Sequence, residues 1–198
     1  MGGPQETEFK FLLTESQYRA LVKELGPPLR SRRLINRFFV PARPVDRRDW
    51  VLRLRLEGEK KELTLKIGRE IEPGLFDSTE YNASVDSEEP RDWERYRPFQ
   101  VFRQEISVEP LKVQGESRTL RTVFRPPVAV GEAWEVDRCE LPGGKVFCEL
   151  EIEVDDRQPF KVQREALLDW LRGVGIEPEV SSKTKYARFL EATLKNPA

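Results

Sequence analysis

The chain has 198 residues, of which 34 are basic and 35 are acidic, so its formal net charge is only −1. A nearly neutral chain lacks the broad positive field that attracts nucleic acids or anionic membranes, and we expect neither as a partner. The sequence contains no histidine, which removes the commonest general base and the commonest transition-metal ligand. Any catalysis must therefore use carboxylates, lysines, arginines or a metal ion held by oxygen ligands.

The length suits one domain with a substantial core, and we expect residues 1–198 to form a single domain. No apolar run is long enough to cross a bilayer, and the opening MGGPQETEF lacks the basic and apolar regions of a signal peptide. These features predict a cytoplasmic protein. Cys139 and Cys148 flank a Pro-Gly-Gly turn and could face each other across a hairpin, but a cytoplasmic chain would keep them reduced. The sequence does not indicate an oligomeric state.

The first part of the chain predicts strands around one short helix. ETEFKFLL, residues 6–13, alternates like a strand, and Thr14 with Gln17 predicts a helix cap before a helix that ends at Gly26. RRLINRFFV, WVLRLRLEG and KELTLKIGRE then have strand character and are separated by turn residues, which predicts an antiparallel meander. TEYNASV predicts another strand, and PRDWERYRPF predicts a brief helix.

The second part predicts more strands and then two helices. FRQEISVEPLKVQ, residues 102–114, and SRTLRTVFR, residues 117–125, have strand character, and EAWEVDRCELPGGKVFCELEIEV predicts a hairpin around its Pro-Gly-Gly turn. REALLDWLRGVG and KTKYARFLEATL carry apolar residues at helical spacing. The predicted fold is therefore α+β, mainly antiparallel β.

Several strands carry charged residues on one face and apolar residues on the other. The charged faces hold Arg53 and Arg55; Thr64 and Lys66; Glu135 and Asp137; and Glu149, Glu151 and Glu153. Bases are grouped in the third and fourth strands and acids in the first and last, whereas a solvated surface usually mixes both signs. Amphipathic helices are available to cover an outer apolar surface. We therefore favour a closed barrel with charges inside over a barrel with a charged exterior.

A cavity with an acidic end and a basic lining has a clear chemical use. Carboxylates bind Mg²⁺ or Mn²⁺, hard cations that prefer oxygen ligands. Lysines and arginines bind an extended polyanion through charge-assisted hydrogen bonds. The pattern therefore predicts a polyphosphate ligand with Mg²⁺ or Mn²⁺ as cofactor.

Four motifs in order resemble the CYTH superfamily, the triphosphate tunnel metalloenzymes. They are Glu6-x-Glu8-x-Lys10, the Leu-Arg-Leu-Arg strand at residues 52–55, Thr64-x-Lys66 and Glu149-x-Glu151. SRTLRTVF, WEVD and KTKYARF extend the resemblance over nearly the whole chain. It implies an eight-stranded closed β-barrel, the triphosphate tunnel, with helices packed outside. One departure is FFVPA, residues 38–42, where family members often carry an aromatic-Asp-Thr-Pro segment.

The resemblance also implies a role for each charged position. Metal ligands would be Glu8, Glu149 and Glu151, while Glu6 and Asp137 would hold or orient a catalytic water or a second metal. Lys10, Arg53, Arg55, Lys66 and Arg121 would grip the triphosphate, and Lys185 would close over it from the final helix. Glu80 is a further candidate for the tunnel wall, and the position of Glu153 is left open.

The leading functional hypothesis is a metal-dependent triphosphatase, which releases the terminal phosphate of inorganic tripolyphosphate or of an organic triphosphate. Three alternatives stay open. They are a class IV adenylate cyclase, a polyphosphate-binding protein without catalysis, and a structural β-domain rich in salt bridges. The cyclase would need an adenine pocket, which the sequence does not identify. A binding protein would need the basic lining but not the full set of acids.

Overall fold

The computed structural model describes residues 3–45, 49–155 and 158–195. Its strands are β1 (Gln5–Leu13), β2 (Arg30–Pro41), β3 (Trp50–Glu57), β4 (Lys60–Glu72), β5 (Leu75–Ser84), β6 (Leu111–Phe124), β7 (Trp134–Glu140), β8 (Val146–Val154) and β9 (Glu179–Val180). The α-helices are α1 (Glu15–Leu25), α2 (Arg97–Glu105), α3 (Phe160–Gly173) and α4 (Lys185–Lys195).

Strands β1 to β8 form one closed antiparallel barrel, as predicted. The sheet runs β5-β4-β3-β2-β6-β7-β8-β1, and an additional pairing of β1 with β5 closes it. The short strand β9 pairs with the end of β1 at Phe11 and Leu12. Closure gives each barrel strand a neighbour on both sides, so the barrel exposes no long unpaired edge.

The apolar faces of the strands point outward, under the helices, as predicted. One cluster places α1 and α3 over β1, β7 and β8, with Leu21, Leu167 and Leu171 fully buried. A second packs α2 against β3 and β4 through Phe99 and Phe102. Helix α4 packs differently, because its Phe189 contacts Phe38, a residue of β2 that faces the interior. Because side chains alternate across a strand, burying these apolar residues outside sends their charged neighbours into the barrel.

Helix α1 begins at the predicted cap. The Thr14 hydroxyl accepts a hydrogen bond from the Gln17 amide, and the Gln17 side chain accepts one from the Thr14 amide. This reciprocal pair satisfies two donors that the first helical turn leaves free.

The predicted strand over residues 102–114 is wrong at its start. Helix α2 extends to Glu105, and β6 begins only at Leu111. Pro98, Phe99, Val101 and Phe102 are all buried on one side of α2. Packing of these residues at helical spacing outweighs the strand preference of the isolated sequence.

The two cysteines do not face each other. Cys139 pairs across the hairpin with Phe147, while Cys148 pairs with Arg138. The Cys139 thiol lies 3.4 Å from the Thr119 hydroxyl, whereas the Cys148 thiol lies 3.5 Å from Glu15 of the outer helix α1. The thiols therefore lie on opposite faces of the sheet, and both are free.

None of the helices in the described ranges is long and apolar enough to cross a membrane.

The capping pair supplies a test of the fold. Thr14→Ala should lower the free energy of unfolding by about 1 kcal/mol, because it removes one half of the cap. Urea denaturation measures the loss. Lys23→Ala, a change at an exposed position in the last turn of α1, is the control and should shift stability by less than about 0.5 kcal/mol. Equal effects of the two substitutions would contradict a stabilising role for the cap.

Candidate active site

The barrel encloses a cavity of about 570 Å³ that is lined mainly by charged side chains. Nine of the eleven predicted site residues line it: Glu6, Glu8, Lys10, Arg53, Arg55, Lys66, Arg121, Glu151 and Lys185. Glu80 and Glu153 line it as well. The other two predicted residues, Asp137 and Glu149, are completely buried and contact Lys185. The structure thus brings the predicted residues together in one interior.

Strand β3 supplies the basic wall of this cavity. Arg55 donates a hydrogen bond of 3.1 Å to the side-chain oxygen of Asn36, its neighbour on β2. The Nε atom of Arg53 is buried and has no hydrogen-bond partner. Among the described residues, neither guanidinium lies within 4.0 Å of a carboxylate. Burial, then the charges of Arg53 and Arg121, lowers the pKa of Arg55 to about 9. This wall therefore carries positive charge that a bound anion would balance.

Strands β7 and β8 supply the acidic end. Asp137 and Glu149 are cross-strand neighbours, and Glu149 is completely buried. The Ser181 hydroxyl donates a hydrogen bond of 2.8 Å to Glu149 Oε1. Burial raises the pKa of Glu149 despite the nearby ammonium of Lys185. The Lys185 Nζ atom lies 3.1 Å from Asp137, 3.1 Å from Glu149 and 2.5 Å from Glu151.

Arg121 and Lys10 complete the neutralisation of this acidic end. Arg121 donates hydrogen bonds to both oxygens of Asp137 and to Glu151, and it also pairs with Glu135. Lys10 pairs with Glu151, its cross-strand neighbour, and lies 3.0 Å from Glu8. Burial opposes ionisation of Glu151, yet these cations and Lys185 hold its pKa well below the usual range.

A second ion-pair group lies where β1, β4 and β5 meet. Lys66 Nζ lies 2.8 Å from Glu8, 2.9 Å from Glu80 and 3.5 Å from Glu6. Burial opposes ionisation of Glu80, but Lys66 and Arg53 lower its pKa to about 2. Burial and the charge of Glu80 raise the pKa of Glu6 to about 7. Of the two carboxyl groups Glu6 and Glu80, Glu6 is therefore the one whose pKa lies near neutral pH.

Several polar residues that line the cavity had no predicted role in the site, among them Arg32 and Asn36 of β2 and Glu62 of β4. Glu135 of β7, which the sequence places on a charged face with Asp137, lines the cavity too, although no role was predicted for it. The inward residues of β2 were harder to identify, because Arg32, Leu34, Asn36 and Phe38 form a mixed series without a clean charge pattern.

The FFVPA segment gives the cavity an apolar section. Strand β2 continues to Pro41, and Phe38 lines the cavity 5.1 Å from the ring of Tyr186 and 4.6 Å from that of Phe189. Val51 and Leu190 complete this apolar section of the wall. Phe38 of this segment thus makes an aromatic contact between the barrel and α4.

The acidic end fits a hard metal ion by its donor chemistry. Asp137, Glu149 and Glu151 each direct a carboxylate oxygen to one common point, the position of Lys185 Nζ. Carboxylate oxygens are the ligands that Mg²⁺ and Mn²⁺ prefer. Glu149 Oε2 is buried and receives no hydrogen bond. Within the described ranges no set of acidic or cysteine side chains forms a ready metal site, and cations lie between the carboxylates instead.

The comparison with protein families identifies the fold and its class. The family model for the CYTH domain matches residues 4–189. The chain belongs to the CYTH family, whose triphosphatases generally depend on a divalent metal. No curated protein is similar to the chain in sequence.

Solved structures with the same fold come from several organisms. A candidate adenylyl cyclase from Hippeastrum, described as having a dominant triphosphatase activity, is 25% identical with a TM-score of 0.82, covering 94% of this chain and 95% of that one. A candidate adenylate cyclase from Bacillus halodurans is 19% identical with a TM-score of 0.72, covering 96% and 99%. A protein from Pyrococcus horikoshii OT3 is 21% identical with a TM-score of 0.58, covering 90% and 96%.

The raised pKa of Glu6 predicts that Glu6→Gln increases thermal stability, and that the increase depends on pH. A carboxyl group whose pKa rises on folding contributes stability below its unfolded value, near 4.5, and loses that contribution as pH rises through about 7. The variant should therefore match wild type at low pH and melt at a higher temperature above pH 7. Thermal melts from pH 4.5 to 8 without metal measure the difference. Glu24→Gln is the control for a lost charge outside the cavity, and a pH-independent gain in Glu6→Gln would contradict the assignment.

Proposed function

We propose that this protein is a divalent-metal-dependent triphosphatase that hydrolyses a phosphoanhydride bond of inorganic tripolyphosphate or of an organic triphosphate. One observation carries the proposal. Arg53 and Arg55 face the cavity beyond ion-pair distance of every carboxylate among the described residues, whereas at the acidic end acids and cations are closely paired. Positive charge on half-buried side chains such as these is costly unless an anion balances it.

The basic wall would bind the phosphates. Guanidinium groups bind phosphate oxygens through short, often bidentate hydrogen bonds. Arg53 and Arg55 are the best placed for this role, because Lys10, Lys66 and Arg121 are already paired with carboxylates. Fixed cations beside the transferred phosphoryl group stabilise the charge of the transition state without reorganisation during the reaction.

The acidic residues would hold the metal and the attacking water. We assign Glu8, Glu149 and Glu151 to the metal, which when bound would neutralise phosphate charge and polarise the scissile bond. We assign Glu6 to the water, because it lines the cavity and its pKa of about 7 suits proton transfer near neutral pH. Asp137 holds Arg121 through both oxygens, so a direct contact of Asp137 with water stays a prediction.

The similar Hippeastrum protein supports the same reaction class, because its described activity is dominated by triphosphatase. The apolar wall at Phe38, Val51 and Tyr186 is the observation that favours an organic triphosphate as a second possibility. An adenylate cyclase stays the alternative reaction, since proteins with this fold carry that name.

A product assay distinguishes these reactions. The protein is incubated with tripolyphosphate, ATP, thiamine triphosphate or pyrophosphate, each with Mg²⁺ or Mn²⁺, and phosphate, pyrophosphate and cyclic nucleotide are measured. A triphosphatase releases phosphate and forms no cyclic product. Formation of cyclic AMP with pyrophosphate would assign the cyclase reaction, and binding of all substrates without turnover would leave only a binding protein.

Arg55→Ala tests the phosphate-binding wall. The variant should lose roughly thirtyfold or more in kcat/KM for the substrate found above, or about 2–4 kcal/mol of transition-state stabilisation. Arg172→Ala, on the outer helix α3 and paired with Asp169, is the matched control and should retain activity.

Melting temperatures separate this role from a structural one. Without ligand, Arg55→Ala should melt no lower than wild type, since burial and two neighbouring arginines disfavour the charged guanidinium. In metal-free buffer it should gain less stability from tripolyphosphate than wild type does. A lower melting temperature without ligand and an unchanged gain from tripolyphosphate would identify Arg55 as structural.

A further inference from the structure

We propose that Lys185 is an internal counter-ion for the acidic end of the tunnel: its ammonium occupies the position of the divalent cation in the metal-free protein and leaves that position when the metal binds. The inference rests on the proposed function in its assumption of a metal at Glu149 and Glu151. It differs in one ligand, because the third carboxylate at the point that Lys185 occupies is Asp137 and not Glu8. It concerns a competition between two cations for one point, and it does not depend on which triphosphate is hydrolysed.

The geometry shows one point shared by three acids. Asp137, Glu149 and Glu151 come from two adjacent strands, and one oxygen of each lies between 2.5 and 3.1 Å from Lys185 Nζ. Divalent metals take several carboxylate oxygens at about 2.0–2.6 Å. An ammonium and a metal ion cannot both occupy a point that close to the same oxygens. Binding of one must therefore displace the other.

The metal-free protein needs a cation at this point. Asp137 and Glu149 are completely inaccessible to solvent, and Glu151 is only 6% exposed. Buried carboxylates that lie this close together repel each other and are costly when unpaired. Arg121 and Lys10 neutralise Asp137 and Glu151 in part. Glu149 has Lys185 as its ion-pair partner among the described residues.

Lys185 is held by charge rather than by aligned hydrogen bonds. Its Nζ atom is buried, and none of its three ion pairs has hydrogen-bond geometry. Glu149 Oε2, 3.1 Å away, likewise accepts no hydrogen bond. A point charge on a flexible four-carbon side chain can be replaced by a stronger cation without rearrangement of the backbone. The arrangement therefore suits an exchangeable counter-ion.

The backbone at Lys185 is fixed independently of its side chain. Lys185 is the first residue of α4, and the Thr184 hydroxyl caps that helix by accepting a hydrogen bond from the Ala187 amide. Phe189 and Tyr186 anchor the helix on Phe38. Displacement of the ammonium therefore requires only rotation of the side chain, while α4 stays in place.

A displaced Lys185 ammonium would lie in the cavity. Lys185 lines the cavity, so a side chain displaced from the carboxylates adds positive charge to the space where the phosphates would lie. Metal binding would then strengthen anion binding, and by linkage the anion would strengthen metal binding. In this way Lys185 couples the two ligands of the same tunnel.

Mn²⁺ binding to variants tests the competition directly. Lys185→Met removes the ammonium but keeps an unbranched side chain. Without substrate, this variant should bind Mn²⁺ roughly tenfold or more tightly than wild type, measured by calorimetry or by loss of the free Mn²⁺ resonance signal. Without metal, the variant should also have a lower melting temperature than wild type, and Mn²⁺ should raise its melting temperature by more. Lys183→Met, which removes a half-exposed lysine paired with Glu191, is the control and should bind Mn²⁺ like wild type.

Labelling of the wild-type protein gives a second test that does not require the variant to fold. Lys185 should react slowly with an acetylating reagent in the absence of metal and several times faster after Mn²⁺ is added, as measured by mass spectrometry. The reactivity of Lys183 should stay constant. Unchanged labelling of Lys185, or equal Mn²⁺ affinity of Lys185→Met and wild type, would overturn the proposal, as would a lack of Mn²⁺ binding by either protein.

These measurements are separate from the test of the proposed function. No triphosphate is present, so a result against Lys185 leaves the hydrolase proposal standing on its own assay. Conversely, a protein that exchanges Lys185 for Mn²⁺ as described but releases no phosphate would contradict the hydrolase and not the exchange.

Discussion

Charge neutralisation inside a closed barrel is the constraint on which the rest of this structure depends. Each barrel strand that packs an apolar face under a helix must send its other face into a narrow interior. In this chain many of those inward residues have ionisable side chains. Charges withdrawn from water are tolerated only when they are paired or hydrogen-bonded. Pairs such as Lys10 with Glu151 and Arg121 with Asp137 are therefore conditions for folding as much as parts of a site.

The ion pairs are distributed unevenly around the cavity, and this difference determines where the cavity can bind an anion. At the acidic end, cations lie between the carboxylates and the charges nearly balance. At the β3 wall, Arg53 and Arg55 lie beyond ion-pair distance of every carboxylate in the described residues, and burial, followed by the charges of Arg53 and Arg121, lowers the pKa of Arg55. The free energy needed to place these positive charges in the interior is therefore already spent when the protein folds without a ligand. An anion bound there meets donors that need no reorganisation.

Strand alternation made much of this predictable from sequence. Glu6, Glu8, Arg53, Arg55 and Lys66 lie on strands whose other face is mainly apolar, so a period of two sufficed to predict that they lie inside. The inward residues of β2 include Arg32, Leu34 and Phe38. Because this face is neither uniformly charged nor uniformly apolar, the sequence did not predict which face of β2 points inward.

Other features depend on tertiary contacts that no local pattern encodes. Helix α2 extends over residues 102–105, the start of a predicted strand, because burial of Phe99 and Phe102 against β3 and β4 decides the conformation there. The orientations of Cys139 and Cys148 follow from the register of the hairpin. The partners of Lys185 lie 34 to 48 residues earlier in the chain, so spacing alone could place this residue near a phosphate but not between three carboxylates.

The segment after α3 explains how one end of the tunnel is organised around that lysine. Strand β9 pairs with β1, and the Ser181 amide donates a hydrogen bond to the carbonyl oxygen of Lys10, which brings the Ser181 hydroxyl onto Glu149. Gly115, opposite Phe38 on β6, has a φ of +151°, and a Cβ there would lie 2.8 Å from the Phe189 ring, so glycine permits α4 to pack this closely. The FFVPA segment supplies Phe38 for the same contact. Aromatic packing therefore anchors the helix that begins with Lys185, and the position of that cation depends on packing outside the charged cluster as well as on the acids within it.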